Sequence, residues 1–122
     1  EADEILMTLN PAKFVHLNSG KRYSVENWPM HKQVHAVAGV GNPNRFFDLL
    51  SRLGFEFDKS PFPDHHKYNK RDLYFLDHLP ILMTEKDAAK CKHFNNSKIW
   101  YLSIEAKIES QFIDRLEEKI ND

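Results

Sequence analysis

Cysteine is nearly missing. Cys91 stands alone in 122 residues, which excludes an intramolecular disulfide framework and a zinc site built from cysteines. No charge sign dominates: 17 Lys+Arg face 18 Asp+Glu, a formal net charge of −1. A general nucleic-acid binder would carry a strong basic excess, so no nucleic-acid partner is expected. No apolar run approaches the roughly 18 residues of a membrane helix, so no transmembrane segment is expected and the chain alone should be soluble. The opening Glu1-Ala-Asp-Glu4 is acidic where a secretory leader would be basic. It also lacks an initial methionine, which fits a processed product or a piece of something longer. A P-loop of the form G-x-x-x-x-G-K-S/T is absent. Ser19-Gly20-Lys21-Arg22 offers a Gly-Lys pair, but Val15 stands where the first glycine belongs and no hydroxyl residue follows.

What remains is enough to fold. The hydrophobic fraction is 41%, with 9 Phe, 4 Tyr and 2 Trp, and no low-complexity tract or fixed repeat interrupts it. The length predicts one domain with a single modest core. Gly (4) and Pro (6) are few, so their positions act as punctuation. Ile5–Leu9, closed by Asn10-Pro11, and Phe14–Leu17, closed by Asn18-Ser19-Gly20, read as a hairpin or a pair of linker strands. Ser24–His31 reads as loop. From there strands and helices alternate. Val34–Ala38 is β-branched and bounded by Gly39. Pro43 suits a first helical turn, Phe46, Phe47, Leu49, Leu50 and Leu53 recur at helical spacing, and Gly54 closes the helix. Phe55–Asp58, Pro80–Met83 and Lys98–Ile104 read as further strands. Asn69 should cap a short helix presenting Leu73, Tyr74 and Leu76. Thr84 and Asp87 resemble a capping box opening a helix to about His93. Residues 110–121 are amphipathic, with Phe112, Ile113, Leu116 and Ile120 on one face. The expected fold class is α/β: a three-layer-like domain with a largely parallel sheet flanked by helices, over residues 31–122, preceded by linker-like strands and loop over 1–30.

Ligands of such sheets bind beyond the carboxyl ends of the strands, which selects three loops. In Ala38-Gly-Val-Gly-Asn-Pro43, Gly39, Gly41 and Asn42 could let backbone N–H groups approach an anion at a helix start. Asp58 then lies near the position of a ribose-binding acid, although Asn44 replaces the third glycine of the dinucleotide fingerprint. The plainer reading is a tight turn of unusual φ. In Ser60-Pro-Phe-Pro-Asp-His-His66, two prolines stiffen the approach to Asp64, His65 and His66. A histidine beside a carboxylate suits proton transfer near neutral pH; the alternatives are part of a metal site or an exposed turn. The further Asp and His clusters of a dinuclear site are not found, and no metal site is assigned. In the third loop, Thr84, Glu85, Lys86 and Asp87 could meet an anion or a cation, or form an ordinary capped helix start. Cys91 reads as a small buried residue.

Together the loops resemble the C-terminal part of the tetraacyldisaccharide 4′-kinases, the lipid A kinases of Gram-negative bacteria. The stretches that carry the resemblance are His35-Ala-Val-Ala-Gly-Val-Gly-Asn-Pro43 with Arg45-Phe-Phe47, Phe62-Pro-Asp-His65, Met83-Thr-Glu-Lys-Asp-Ala-Ala-Lys-Cys91 and Trp100-Tyr-Leu102. Ala89 stands where the family more often has Val. The resemblance implies a kinase that moves the γ-phosphoryl of ATP to the 4′-hydroxyl of tetraacyldisaccharide 1-phosphate at the cytoplasmic face of the inner membrane. It implies a partner domain, N-terminal and absent here, whose P-loop holds most of the ATP and Mg²⁺, so the isolated chain should be inactive. By the same resemblance His65 supports a catalytic aspartate of that domain and Asp64 orients His65. Gly39, Gly41, Asn42, His66, Thr84, Glu85, Lys86 and Asp87 fall near the cleft. A different class stays open: a free-standing Rossmann-like nucleotide- or anion-binding module using Gly39-x-Gly41 and Asp58. So does a purely structural domain whose loops are only turns.

Overall fold

The computed structural model describes residues 7–108. The amphipathic stretch at 110–121 lies outside them. Six strands form one sheet: β1 (Met7–His16), β2 (Arg22–Ser24), β3 (Gln33–Ala38), β4 (Glu56–Pro61), β5 (Ile81–Thr84) and β6 (Ile99–Ile108). Their order across the sheet is β2-β1-β6-β5-β3-β4. The β3–β4, β3–β5 and β5–β6 pairings are parallel, whereas β1 runs antiparallel to both β2 and β6. The α/β expectation holds, with an antiparallel edge added to the parallel half.

Strict alternation along the parallel strands builds two cores. Val34, Ala36 and Ala38 of β3, Leu82 of β5 and Trp100 and Leu102 of β6 face one side. There they meet Phe46, Phe47 and Leu50 of helix α1 (Pro43–Arg52) and an aromatic cluster of Phe14, Trp28 and Phe55. Val37, Ile81, Met83 and Ile99 face the other side, beneath Tyr68, Leu73, Cys91 and Phe94. The short helix α2 (Glu85–Ala89) adds Ala88 to that second core. Helical segments thus cover both faces of the sheet, which gives the three layers.

The helix α1 begins and ends as its residues dictate. Pro43 occupies the first turn, where an N–H would have no intrahelical partner. Leu53 caps the end, and Gly54 turns the chain out at φ +89° while its N–H donates to the Ser51 carbonyl.

Three elements differ from the sequence reading. The segments expected as two strands on either side of Asn10-Pro11 are one strand: β1 runs through the proline, and its register with β6 shifts between Pro11 and Lys13. Such a bulge accommodates a residue that cannot donate to the ladder. The hairpin partner of β1 is instead β2. The turn capped by Asn69 is a single 3-10 turn over Lys70–Leu73, closed by reciprocal bonds with Asp72. Only Leu73 of its expected apolar face is buried; Tyr74 is 73% and Leu76 91% exposed. The helix begun by Thr84 stops at Ala89 rather than near His93. Beyond it, Lys90, Cys91 and Phe94 donate three residues back, a tighter winding that turns Cys91 and Phe94 into the second core.

Candidate functional site

Parallel pairing places the carboxyl ends of β3, β4 and β5 side by side, so the segments 39–42, 62–67 and 84–87 share one sheet edge; Ser60 and Pro61, expected in the second loop, are the last residues of β4. Two bonds hold them together. The Phe62 N–H donates to the Ala38 carbonyl at 2.8 Å, tying the second loop to the first. The Gly39 N–H donates to Asp87 Oδ2 at 3.0 Å, tying the first to the third.

Asp87 is the node of this edge. Its side chain is fully buried, and Oδ2 also accepts the Thr84 hydroxyl at 2.7 Å while the Thr84 Oγ1 accepts the Asp87 N–H at 3.1 Å. The expected capping pair therefore exists, but its carboxylate points inward toward Gly39. Asp87 Oδ1 and the Tyr68 hydroxyl are both buried and short of a well-formed hydrogen bond. They are nonetheless close enough to interact: the Tyr68 hydroxyl is pushed well above its ordinary pKa, first by burial and then by the Asp87 charge and their contact. Cys91, in the same core, is raised to about 11 by burial with Asp87 adding to it, so it stays a neutral thiol at physiological pH.

Neither glycine of the first loop has a positive φ, which removes the unusual-φ reading. Gly39 is required by space instead. A Cβ there would stand 2.7 Å from the Tyr68 hydroxyl and 3.3 Å from both Asp87 Oδ1 and the Pro63 carbonyl. Gly39→Ala is expected to destabilise the domain by about 1–3 kcal/mol, and adding Tyr68→Phe, which removes the atom in closest conflict, should recover part of that loss in chemical denaturation. Gly41 is exposed and open; a Cβ would lie 3.5 Å from Asp64 Oδ2, in ordinary contact. Asn42 precedes α1 without a side-chain capping bond, and Glu85 and Lys86 are exposed on the first turn of α2.

The second loop separates its two histidines. His66 is tied down: Nε2 is 2.9 Å from Asp72 Oδ2, and the ring stacks on Phe62 at 4.5 Å between centroids. His65 is presented: its side chain is 80% exposed, and its backbone sits at φ +62°. Asp64 accepts the His65 backbone N–H at 3.1 Å, while its other oxygen stands 3.7 Å from the ring Nε2. Asp64 therefore fixes the His65 backbone and lies beside the ring, at a distance too long for a hydrogen bond. No group of three His, Cys, Asp or Glu able to hold a metal occurs among the described residues.

One polar pair escaped the sequence reading. At the opposite end of the strands, buried His35 stacks on Phe75 at 3.8 Å and meets Asp77 at 2.8 Å. Its location below the edge makes it a clamp on the loop entering β5. Asp77 and Asp72 are both held below the ordinary value of 3.8. At Asp77 burial works upward, but the His35 ring and the Leu79 N–H outweigh it; at Asp72 the Asn69 N–H leads and His66 follows. A depressed folded pKa gives stability that is present above the unfolded value and lost as pH falls through the folded one. The unfolding midpoint is therefore expected to drop below about pH 4, and to drop less in an Asp72→Asn/Asp77→Asn variant followed by thermal melts.

The dinucleotide alternative loses its acid. Asp58 lies at the third residue of β4, opposite His35 in register, and not at the strand's carboxyl end. What the fold and edge define is an α/β domain whose loop-borne carboxylate and histidine stand at the carboxyl ends of parallel strands, in a sequence without a P-loop. The chain belongs to the tetraacyldisaccharide-1-P 4′-kinase family, whose profile matches residues 1–121. Among relatives, the tetraacyldisaccharide 4′-kinase of Ectopseudomonas mendocina is 42% identical over 119 residues, covering 98% of this chain and 36% of that protein. The enzyme of the same name from Alcanivorax borkumensis is 51% identical over 87 residues, 71% of this chain and 27% of that protein. A crystal structure of LpxK from Aquifex aeolicus, described as its "apo" form in complex with ATP, shares the fold with a TM-score of 0.64 at 20% identity. The match covers 93% of this chain and 35% of that one. The chain thus spans between about a quarter and a little more than a third of the proteins it resembles.

Proposed function

We propose that these residues form the C-terminal domain of a tetraacyldisaccharide 4′-kinase, with residues 1–30 carrying linker-like strands and 31–122 the domain proper. In the whole enzyme the reaction would transfer the γ-phosphoryl of ATP to the 4′-hydroxyl of tetraacyldisaccharide 1-phosphate, a step of lipid A assembly at the cytoplasmic face of the inner membrane. ATP and Mg²⁺ would be held mainly by an N-terminal P-loop domain. The residues of this chain do not fit them: the sequence has no P-loop, and no metal-binding group occurs among the described residues. The isolated chain would therefore be inactive.

The observation that carries the reading is the contrast within Phe62-Pro-Asp-His-His66. One histidine is locked onto Asp72 and Phe62, while its neighbour is turned out at the sheet edge, beside the glycine loop, with its ring free to meet a partner. An imidazole so placed can orient a carboxylate of the facing domain and help it take the proton of the 4′-hydroxyl. Asp64 holds the turn that presents it. The test joins this chain to the P-loop domain and follows ATP-dependent 4′-phosphorylation. Turnover is expected from the joined protein and none from the chain alone. A joined, folded protein that binds ATP yet phosphorylates no acylated disaccharide would overturn the assignment.

A further inference from the structure

Beside the ligand edge, between α1 and β6, a cavity of about 580 Å³ opens. Its size falls within the roughly 300–1,000 Å³ of small-molecule sites. Its floor is apolar: Val40, Phe46 and Leu49 face Ile104, which remains 43% exposed although Leu102, on the same strand, is buried. Its wall is polar. Arg45 and Arg52 are seven residues apart on α1 and so lie on one helix face. Asp48 lies between them at pairing distance in sequence. Yet among the described residues neither guanidinium forms an ion pair, and the wall keeps a net positive charge. Asn42 and Thr84, which belong to the loops of the ligand edge, close the near end.

An apolar floor by itself would suit many chains. Two guanidiniums on its rim, without an ion-pair partner among the described residues, suit an oxyanion, and their planar donor forks suit a phosphate. We propose that this groove takes a fatty acyl chain of a phosphate-bearing lipid, with the chain along Phe46, Leu49 and Ile104 and the phosphate at Arg45 and Arg52. The inference rests on the function proposed above, because an acylated sugar phosphate would bring both an acyl chain and a phosphate to the edge that carries His65. The groove adjoins that edge by sharing Asn42 and Thr84 with it.

The test uses the 122-residue chain, isotopically labelled, with dodecyl phosphate below its micellar concentration. Saturable shifts are expected at Val40, Leu49 and Ile104. Inorganic phosphate and the uncharged dodecyl maltoside should each bind at least roughly tenfold more weakly, and decyl phosphate, two methylenes shorter, roughly tenfold more weakly than dodecyl phosphate. Arg45→Gln/Arg52→Gln should weaken dodecyl phosphate by roughly tenfold, whereas Asp48→Asn should tighten it. Equal affinity for dodecyl maltoside, or shifts centred elsewhere, would overturn the proposal. So would binding that appears only after residues 109–122 are removed, since the groove would then be the seat of the chain's own end. If the joined protein is an active kinase but the groove stays silent, the groove alone fails. If the groove binds dodecyl phosphate and the joined protein phosphorylates nothing, the kinase reading fails and the groove stands.

Discussion

Asp87→Ala is expected to lower the stability of the domain by about 2–4 kcal/mol, the largest loss from any single truncation at the carboxyl ends of β3, β4 and β5. The carboxylate is wholly buried and satisfies two donors at once, the Gly39 N–H and the Thr84 hydroxyl. Alanine would leave the Gly39 N–H without a partner in a region closed to water, at about 1–3 kcal/mol, and would forfeit a bond made to a charged acceptor. The Thr84 hydroxyl can rotate to another acceptor, so its share is smaller. Asp87→Asn keeps the shape and one acceptor oxygen, and should lose about half as much. Urea unfolding would check both, and a midpoint for Asp87→Ala unchanged from the parent would contradict the role assigned to this carboxylate. The consequence reaches both loops, because Asp87 joins the glycine loop to the start of α2. A domain that remains folded with this bond cut should show faster amide exchange at the 39–42 loop than at β3 itself.

The Asp87 network also marks where sequence reading stops. Strands β3, β5 and β6 were legible because short runs of Val, Ala, Ile and Leu are a local signal, β4 was marked by Phe55 and Phe57 after Gly54, and Pro43 and Gly54 bracket α1 for local reasons. The edge was legible too, since the carboxyl-end rule needs only strand order along the chain. Asp87 itself was visible, but as a cap for its own helix, since the Thr84 spacing explains it completely. Its second bond, to a residue 48 positions away, has no sequence signature. Nor has Tyr68, whose hydroxyl fills the space that Gly39 leaves. The same limit explains Pro11: proline ends a strand by local rule, but nine residues of pairing with β6 carry β1 past it. His35 offered an ordinary buried strand position, and its partner Asp77 comes from a loop 42 residues on.

Replacing His65 in the joined enzyme is the second large effect, and two substitutions together separate its chemistry from its geometry. A non-glycine residue at φ +62° carries backbone strain on the order of 1 kcal/mol. The strain is sustained by the Asp64 carboxylate on the His65 N–H and by the His66 N–H on the Pro63 carbonyl. His65→Ala keeps a Cβ and hence the strain, so stability should be unchanged, while kcat falls by roughly 10²–10⁴ if the imidazole helps move the proton of the acceptor hydroxyl. KM for the lipid should move little, since the ring is asked to act on the proton and not to hold the substrate. His65→Gly relieves the strain and should stabilise the domain by about 1 kcal/mol, yet lose the same activity. A turn with no further role predicts the opposite pairing: a glycine variant that is both more stable and fully active. Glycine suits this backbone better than histidine does, so under the proposed role the imidazole is kept for its chemistry and not for the turn. An active His65→Gly enzyme would remove that account.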